Sequence, residues 1–590
     1  MNWPRVGTLL VILLSALAMR SAWADPPPDR YADSQLPVTY FEQNWSATDS
    51  LNFYSLRQGS PLILKEIFDA LEQPTSQAAF GDPAYLAQFG FLPQKKHEKN
   101  PDGYPIGFVP GVEAIEINCS ACHTSKITWG EKEYRVDGTQ AMTDFEGFLN
   151  QLVESLRLTL EDAPDSAVWE TLSPSAMMTL DQNTRFGRFA QSVLKQSNPK
   201  ASRVYSLLEA LRSDYARRQR YNDYNDFGKV PATAEERSTW PKHPQYGFGR
   251  IDALGAILNQ ATAEALDYPK NARTADAPVN YPAIWDAPQH THVQWNGSVE
   301  NEGFGALGRN VGQVVGVFGL VNARDKALGG YDSSINRKAL ETAEELITKL
   351  WSPRWPEEFG LNEELVAQGS DVYESSCISC HALMTRDDPN RKPNDRLISI
   401  SDSIQGDPAL ETDVMTARNW SIRRAKIGVL AGRYRSFPLG DRFGDDPTDS
   451  VYARDILSHM VINVLARTFV PWRDELTLET ADQEFLLSPA SADDLLRYKC
   501  RPLNGVWSTS PYLHNGSVIN MTELLKLPAD RATTFHVGTT EYDPDNLGFK
   551  DAGSFEFDTN IDGNRNTGHA YGTDLSDDDK QALLEYLKTL

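Results

Sequence analysis

Apolar residues recur every three or four positions in several separate stretches, and these predict the helices. Between Phe145 and Leu160 the apolar positions Phe148, Leu149, Leu152, Val153 and Leu156 form one face of an amphipathic helix. A charged helical stretch is expected over roughly 180–225. Lys338–Leu350 is a further helix, broken by Trp351-Ser-Pro-Arg-Trp-Pro356. Glu363–Ser376 is a short helix. Asp574-Leu-Ser576-Asp-Asp-Asp579 supplies an N-cap and an acidic first turn for a terminal helix through Lys588. Residues 25 to about 110 are instead rich in aromatics and turn formers, with Asn100-Pro101-Asp102-Gly103 a strong turn. The segment from about 240 to 330 carries many Trp, Gly, Pro and Asn residues and is expected to be ordered but loop-rich. The pattern predicts a mainly α fold with extensive loops and little β-structure, and it shows no solenoid repeat.

The first 24 residues predict a signal peptide. Arg5 gives a positive start, Gly7–Met19 is apolar, and Ala22-Trp23-Ala24 is a small-residue cleavage site. No later stretch is long enough to span a bilayer, so a periplasmic or secreted protein of a Gram-negative bacterium is expected. The net charge of −24 argues against nucleic acid and against anionic lipid. Export invites disulfides, yet four of the five cysteines sit in two Cys-x-x-Cys-His runs, which leaves Cys500 alone. Its expected state is an inert buried thiol.

Those runs, Cys119-Ser-Ala-Cys122-His123 and Cys377-Ile-Ser-Cys380-His381, carry the chemistry. Haem c is joined by thioether bonds to two cysteines, and the adjacent histidine offers its imidazole to the iron. With so few Cys and His, even one such run should arise by chance in about one sequence per thousand. A zinc site would need further ligands near each run, and a thioredoxin-like redox pair does not explain the histidine. Two covalently bound haems are therefore expected, with His123 and His381 as iron ligands. A helix ending in Cys-x-x-Cys-His and a terminal amphipathic helix are the elements that cross in a small cytochrome c. Hence 25–336 is expected to hold the first haem domain and 337–590 the second, with a long insertion.

The opposite axial position decides the chemistry, because a second strong ligand makes an electron carrier and an open face permits oxygen or peroxide chemistry. His569 is the preferred ligand for the second iron. It lies in the loop Asn564-Arg-Asn-Thr-Gly-His-Ala-Tyr-Gly572, just before the terminal helix. His514 is the main rival, with His536 and Met460 behind it. The first haem has no comparable candidate, which points to an open face.

Arg501-Pro-Leu-Asn-Gly-Val-Trp-Ser-Thr-Ser-Pro-Tyr-Leu-His-Asn-Gly-Ser517, together with two c-haem motifs, resembles the bacterial dihaem cytochrome c peroxidase superfamily. Within it the chain is most similar to the branch containing rubber oxygenase and the periplasmic dihaem fatty-acid dioxygenases. The supporting segments are Gln58-Gly-Ser-Pro-Leu62, Asn100–Phe108, Val136-Asp-Gly138 and Val293-Gln-Trp-Asn-Gly297. The resemblance implies that His569 ligates the second haem, where peroxidases usually present Met, and that His514 is a structural residue. It also implies that the N-terminal haem binds oxygen beside an apolar pocket and adds it to an alkene. Trp285, Trp295 and Phe304 are candidate pocket walls, and either Trp is a candidate to lie between the haems. Asn296 and Arg309 are candidate partners of a propionate or a carboxylate head group.

The expected activity is dioxygenation of an unsaturated hydrophobic substrate, with a long-chain fatty acid such as oleate ahead of polyisoprene. A dihaem peroxidase served by a small electron-donor cytochrome is the alternative, and a plain electron carrier the third. Asp558-Thr-Asn-Ile-Asp-Gly-Asn564 is oxygen-rich enough to suggest Ca²⁺.

Overall fold

Short polar side chains at the predicted boundaries set the ends of the helices. In the computed structural model, residues 30–590 are described except 112, 164–178, 198–207, 211, 214–243, 302–304, 325–329, 389, 394, 401–411, 436–440 and 470–494. The expected signal peptide, residues 1–24, lies outside the described residues. Phe145–Glu161 is helical, and the Asp144 carboxylate caps it by accepting from the Gly147 N–H at 2.8 Å. Asn336 caps Arg337–Lys349, and Asn362 caps Glu363–Ser376. Ser576 caps Asp577–Lys588, with Asp577, Asp578 and Asp579 in the first turn. Within the 180–225 stretch Arg185–Ser197 is helical, and much of the remainder lies outside the described residues.

The 240–330 segment is more regular than expected, because Ala253–Asn259 and Gly305–Gly316 are both helices. Four glycines in the second lower its intrinsic helix propensity, but they let it pack closely. A Cβ on Gly316 would lie 2.2 Å from Ile257 Cγ1. Strand is also more frequent than expected. Strands β1 (Val38–Tyr40), β2 (Pro61–Leu64), β3 (Phe108–Pro110), β4 (Ala114–Ile117), β5 (Thr124–Trp129) and β6 (Lys132–Asp137) form two three-stranded sheets, ordered β1-β6-β5 and β2-β4-β3. The remaining ladders among the described residues are two-stranded pairs of two to four residues. Such pairs are too short to leave an alternating pattern that sequence reading can detect.

One apolar core runs from Phe53, Tyr134 and Trp285 to Leu346, Trp507 and Leu583, so residues on both sides of position 337 share it. A second core stacks Phe68, Phe80, Phe91, Phe108 and Phe148 behind the first Cys-x-x-Cys-His run. A third surrounds Met460 and Val464. No helix among the described residues is long and apolar enough to cross a membrane.

The helices Glu363–Ser376 and Asp577–Lys588 cross at Gly369, where a Cβ would lie 2.0 Å from the Ala582 carbonyl oxygen. Tyr373 packs on Tyr586 one turn further on, at 5.2 Å between ring centres. This close crossing aims the last turn of the first helix, and Cys377 with it, into the protein. Gly369→Ala should separate the helices and destabilise the fold by about 1–3 kcal/mol, read by urea unfolding.

His459 gives a second expectation. It is buried, its Nδ1–H donates to the Arg435 carbonyl at 2.9 Å, and Nε2 accepts from the Tyr331 hydroxyl at 2.7 Å. Burial pushes its pKa down to about 4. Below pH 6.5 the unfolded chain therefore binds a proton that the folded chain refuses until about pH 4, and stability falls across that window. In His459→Gln, the stability lost between pH 7 and pH 5 should shrink by about 2 kcal/mol, read by urea melts at both pH values.

Candidate haem centres

The first Cys-x-x-Cys-His run is a tight turn held by its neighbours. Asn118 precedes it and donates from Nδ2 to the carbonyls of Phe53, Tyr54 and Leu56 at 3.0–3.1 Å. Its Oδ1 accepts from the Ser120 N–H and hydroxyl. The His123 N–H closes the turn onto the Cys119 carbonyl at 3.0 Å. Gly107, at φ +95°, lies flat against it, and a Cβ there would meet Ala121 Cα at 2.4 Å. After the β5–β6 hairpin the chain returns, so that Gly138 and Ala141 donate to the carbonyls of His123 and Cys122. Gln58 Nε2 donates to Cys119 Sγ at 3.1 Å.

His123 is pushed down to about 4, first by burial and then by the Arg501 charge, against the Pro282 carbonyl, which raises it. Its Nδ1 is buried without a well-formed hydrogen bond. Among the described residues, the aromatic ring packed against it is Tyr281, edge-on at 6.3 Å between ring centres.

The second run continues the helix Glu363–Ser376. The Cys377 N–H donates to Tyr373 O, and the His381 N–H to Cys377 O at 2.9 Å. The Tyr373 hydroxyl donates to the His381 carbonyl at 2.6 Å. The His381 Nδ1–H donates to the Arg501 carbonyl at 2.6 Å, which leaves Nε2 with its lone pair available to a metal. Opposite stands His569, with 6.2 Å between the ring centres and 43° between the ring planes. A metal bound to both imidazoles through bonds of about 2 Å sets ring centres about 6 Å apart.

The loop that carries His569 is strained and clamped. His569 has φ +48°, in the left-handed region, and Gly568 precedes it at +81°. Buried Arg531 donates to four backbone carbonyls, those of Asn566 and Gly568 at 2.7 Å and of Leu524 and His569 at 2.9 Å. The second run borders a cavity of about 330 Å³, the second cavity, lined by Cys377, Cys380, His381 and His569 with a largely apolar wall that includes Leu525 and Leu583. Two thiols, an oriented imidazole, a second imidazole at ligand spacing and an apolar cavity fit a haem.

The other expected residues are distributed as follows. His514 lines the same cavity, but its ring is stacked on Tyr498 at 4.2 Å. Met460 lies in the third core, and His536 is exposed and bonded to Asp551. Trp285 and Trp295 both line the second cavity, donating to the carbonyls of Asn504 and Asn280. Phe304 lies outside the described residues. Asn296 is fully buried, and Arg309 pairs with Glu344 and Asn301. Cys500 lines the second cavity, its thiol pushed up to about 12 by burial and by Cys380. In the Asp558–Asn564 loop, Asp558 accepts from Asn560 and Asp562 pairs with Arg565. Among the described residues no group of three His, Cys, Asp or Glu side chains could hold a metal ion, so calcium has no support. Sequence reading missed Asn118, Arg531 and the Arg501 carbonyl, which bond backbone or imidazole and carry no spacing signature.

Residues 497–536 match the family model described as RoxA-like, cytochrome c-like. That segment contains Tyr498, Arg501, His514 and Leu525, which line the second cavity, and it supports a cytochrome c-like haem protein. The chain is 28% identical to Uncharacterized protein y4iJ of Sinorhizobium fredii, over all of this chain and 99% of the relative. It is 22% identical to Uncharacterized protein y4iM of the same organism, over 50% of this chain and 56% of that protein.

His569→Ala should convert the haem at Cys377–His381 from six-coordinate low-spin to high-spin, read by visible and electron paramagnetic resonance spectra. His514→Ala should leave that haem six-coordinate.

Proposed function

We propose that the chain is a periplasmic dihaem c-type dioxygenase that adds O₂ to an unsaturated hydrophobic substrate. A long-chain unsaturated fatty acid such as oleate, giving a hydroperoxide, is favoured over polyisoprene. The observation that carries the reading is the difference between the two motifs. His381 is faced by His569 at ligand spacing, whereas among the described residues the ring packed on His123 is Tyr281.

Cys119, Cys122 and His123 would hold one haem; Cys377, Cys380, His381 and His569 would hold the other. A haem with one open face binds and activates dioxygen, and one closed by two imidazoles transfers electrons. The protein's part is positioning. Asn118 and Gln58 fix the first cysteine, and the phenylalanine core behind Cys122 keeps that side of the motif dry. A dry apolar surround suits an alkene substrate. Arg531 holds His569 against His381, so the second site is committed to a closed state.

A dihaem peroxidase is the alternative. A histidine at 569 counts against it, because His ligation lowers a haem's potential relative to Met. The test is oxygen consumption by the purified holoprotein with oleate or latex, without peroxide or added reductant. Uptake with oleate supports the proposal. No uptake with either substrate, combined with rapid peroxide turnover by a reduced small cytochrome, would replace it with the peroxidase. Failure of the reduced protein to bind carbon monoxide would reduce it to an electron carrier.

A further inference from the structure

Arg501 follows Cys500 at the end of strand Arg497–Cys500. Its backbone carbonyl accepts from His381 Nδ1 at 2.6 Å. Its side chain makes separate contacts. The guanidinium donates to the Ala283 carbonyl at 2.6 Å and lies over the Trp295 ring, 5.3 Å from its centre. Ala283 is two residues beyond Tyr281, the ring packed on His123, and Trp295 Nε1 donates to Asn280 in the same segment. One residue thus bonds the His381 imidazole and, through Ala283, the segment whose Tyr281 ring packs on His123.

Among the described residues Arg501 makes no salt bridge, because the two carboxylates nearest it, Asp286 and Asp395, are taken by other partners. Arg391 is paired with Asp286 in a fully buried bridge. Asp395 accepts from His290 at 2.6 Å and lies 3.8 Å from Lys499. His290 is held down to about 4 by burial and by Lys499, so it adds no charge near neutrality. Burial and the Arg501 charge push Lys499 down to about 7. Buried charge needs a counter-charge. Lys499 and Arg501 both line the cavity of the second motif, and a haem brings two propionate carboxylates of its own.

We infer that Arg501 couples the two haem sites: its carbonyl orients His381, while its guanidinium on Trp295 seats a haem propionate and supplies positive charge to both irons. The inference rests on the proposal that both motifs carry haem, but not on the substrate. A nearby positive charge disfavours the ferric state, so its removal should lower both midpoint potentials.

The test is an optical redox titration of the holoprotein, with covalent haem counted by intact mass. In Arg501→Gln both haems should shift toward ferric by at least tenfold in the ferric-to-ferrous ratio at fixed potential, which is 59 mV for a one-electron couple. Arg501→Lys keeps the charge and should hold both potentials at wild-type values. A shift at one haem only, or at neither, overturns the inference. If Arg501→Gln loses haem, Arg501→Lys decides: both haems at wild-type potentials support the inference, and haem loss there too makes the residue structural and overturns it. A wild-type mass with a single haem would instead remove the two-haem proposal.

Discussion

The bond between the His381 imidazole and the Arg501 carbonyl is the constraint on which the second site depends. It joins two parts of the chain that lie 120 residues apart. On one side is the helix ending in Cys377, placed by its crossing at Gly369 with the terminal helix. On the other is strand Arg497–Cys500, paired with Arg396–Ser399 in register Arg396↔Cys500. An error in either placement would turn the imidazole away from the cavity. The segment that matches the cytochrome c-like family model begins on this strand, so the match and the geometry point to the same wall.

A chain with so many loops needs an internal scaffold, and buried arginines provide it. Arg531 ties the His569 loop through four carbonyls, and Arg250 does similar work nearby. Arg250 donates to the carbonyls of Tyr246, Asn515 and Gln245 and to Asn564 Oδ1, while its guanidinium lies over Phe557. Hydrogen bonds from a charged donor contribute roughly 1.5–3 kcal/mol each, about twice a neutral pair. A planar guanidinium with five donors can order several loop strands at once. The cost is desolvation, and it shows in Arg250, whose pKa burial lowers to about 9.

This scaffold explains which features could be read from sequence. The cap of the terminal helix was legible because its chemistry is local: Ser576 accepts from the Asp579 N–H three residues on. The Asn100–Gly103 turn was legible for the same reason, since Asn100 Oδ1 accepts from the Gly103 and Tyr104 N–H groups. His569 was singled out by its loop and its place before the terminal helix. The glycine-bearing helix Gly305–Gly316 was missed because close packing overrode its poor propensity. The two-residue ladders were missed because they span less than one period of any pattern. Arg531 and Arg501 act on carbonyls far away in sequence, and nothing near them in the chain marks that role.

The imidazoles of His123 and His381 also differ in a way that neither Cys-x-x-Cys-His run records. His381 donates from Nδ1 to a carbonyl at 2.6 Å, and such a bond raises the ring's basicity and strengthens it as a metal ligand. His123 has the Pro282 carbonyl beside it but no well-formed Nδ1 bond, and the Arg501 charge works against its basicity. Identical Cys-x-x-Cys-His chemistry is therefore placed in unequal fields. Under the proposed reading, the stronger donor belongs to the site that is also closed by His569, which deepens its commitment to a single coordination state. The weaker donor belongs to the site where an exchangeable position is required. The division of labour then rests on backbone carbonyls and one half-buried arginine, and not on the Cys-x-x-Cys-His runs themselves.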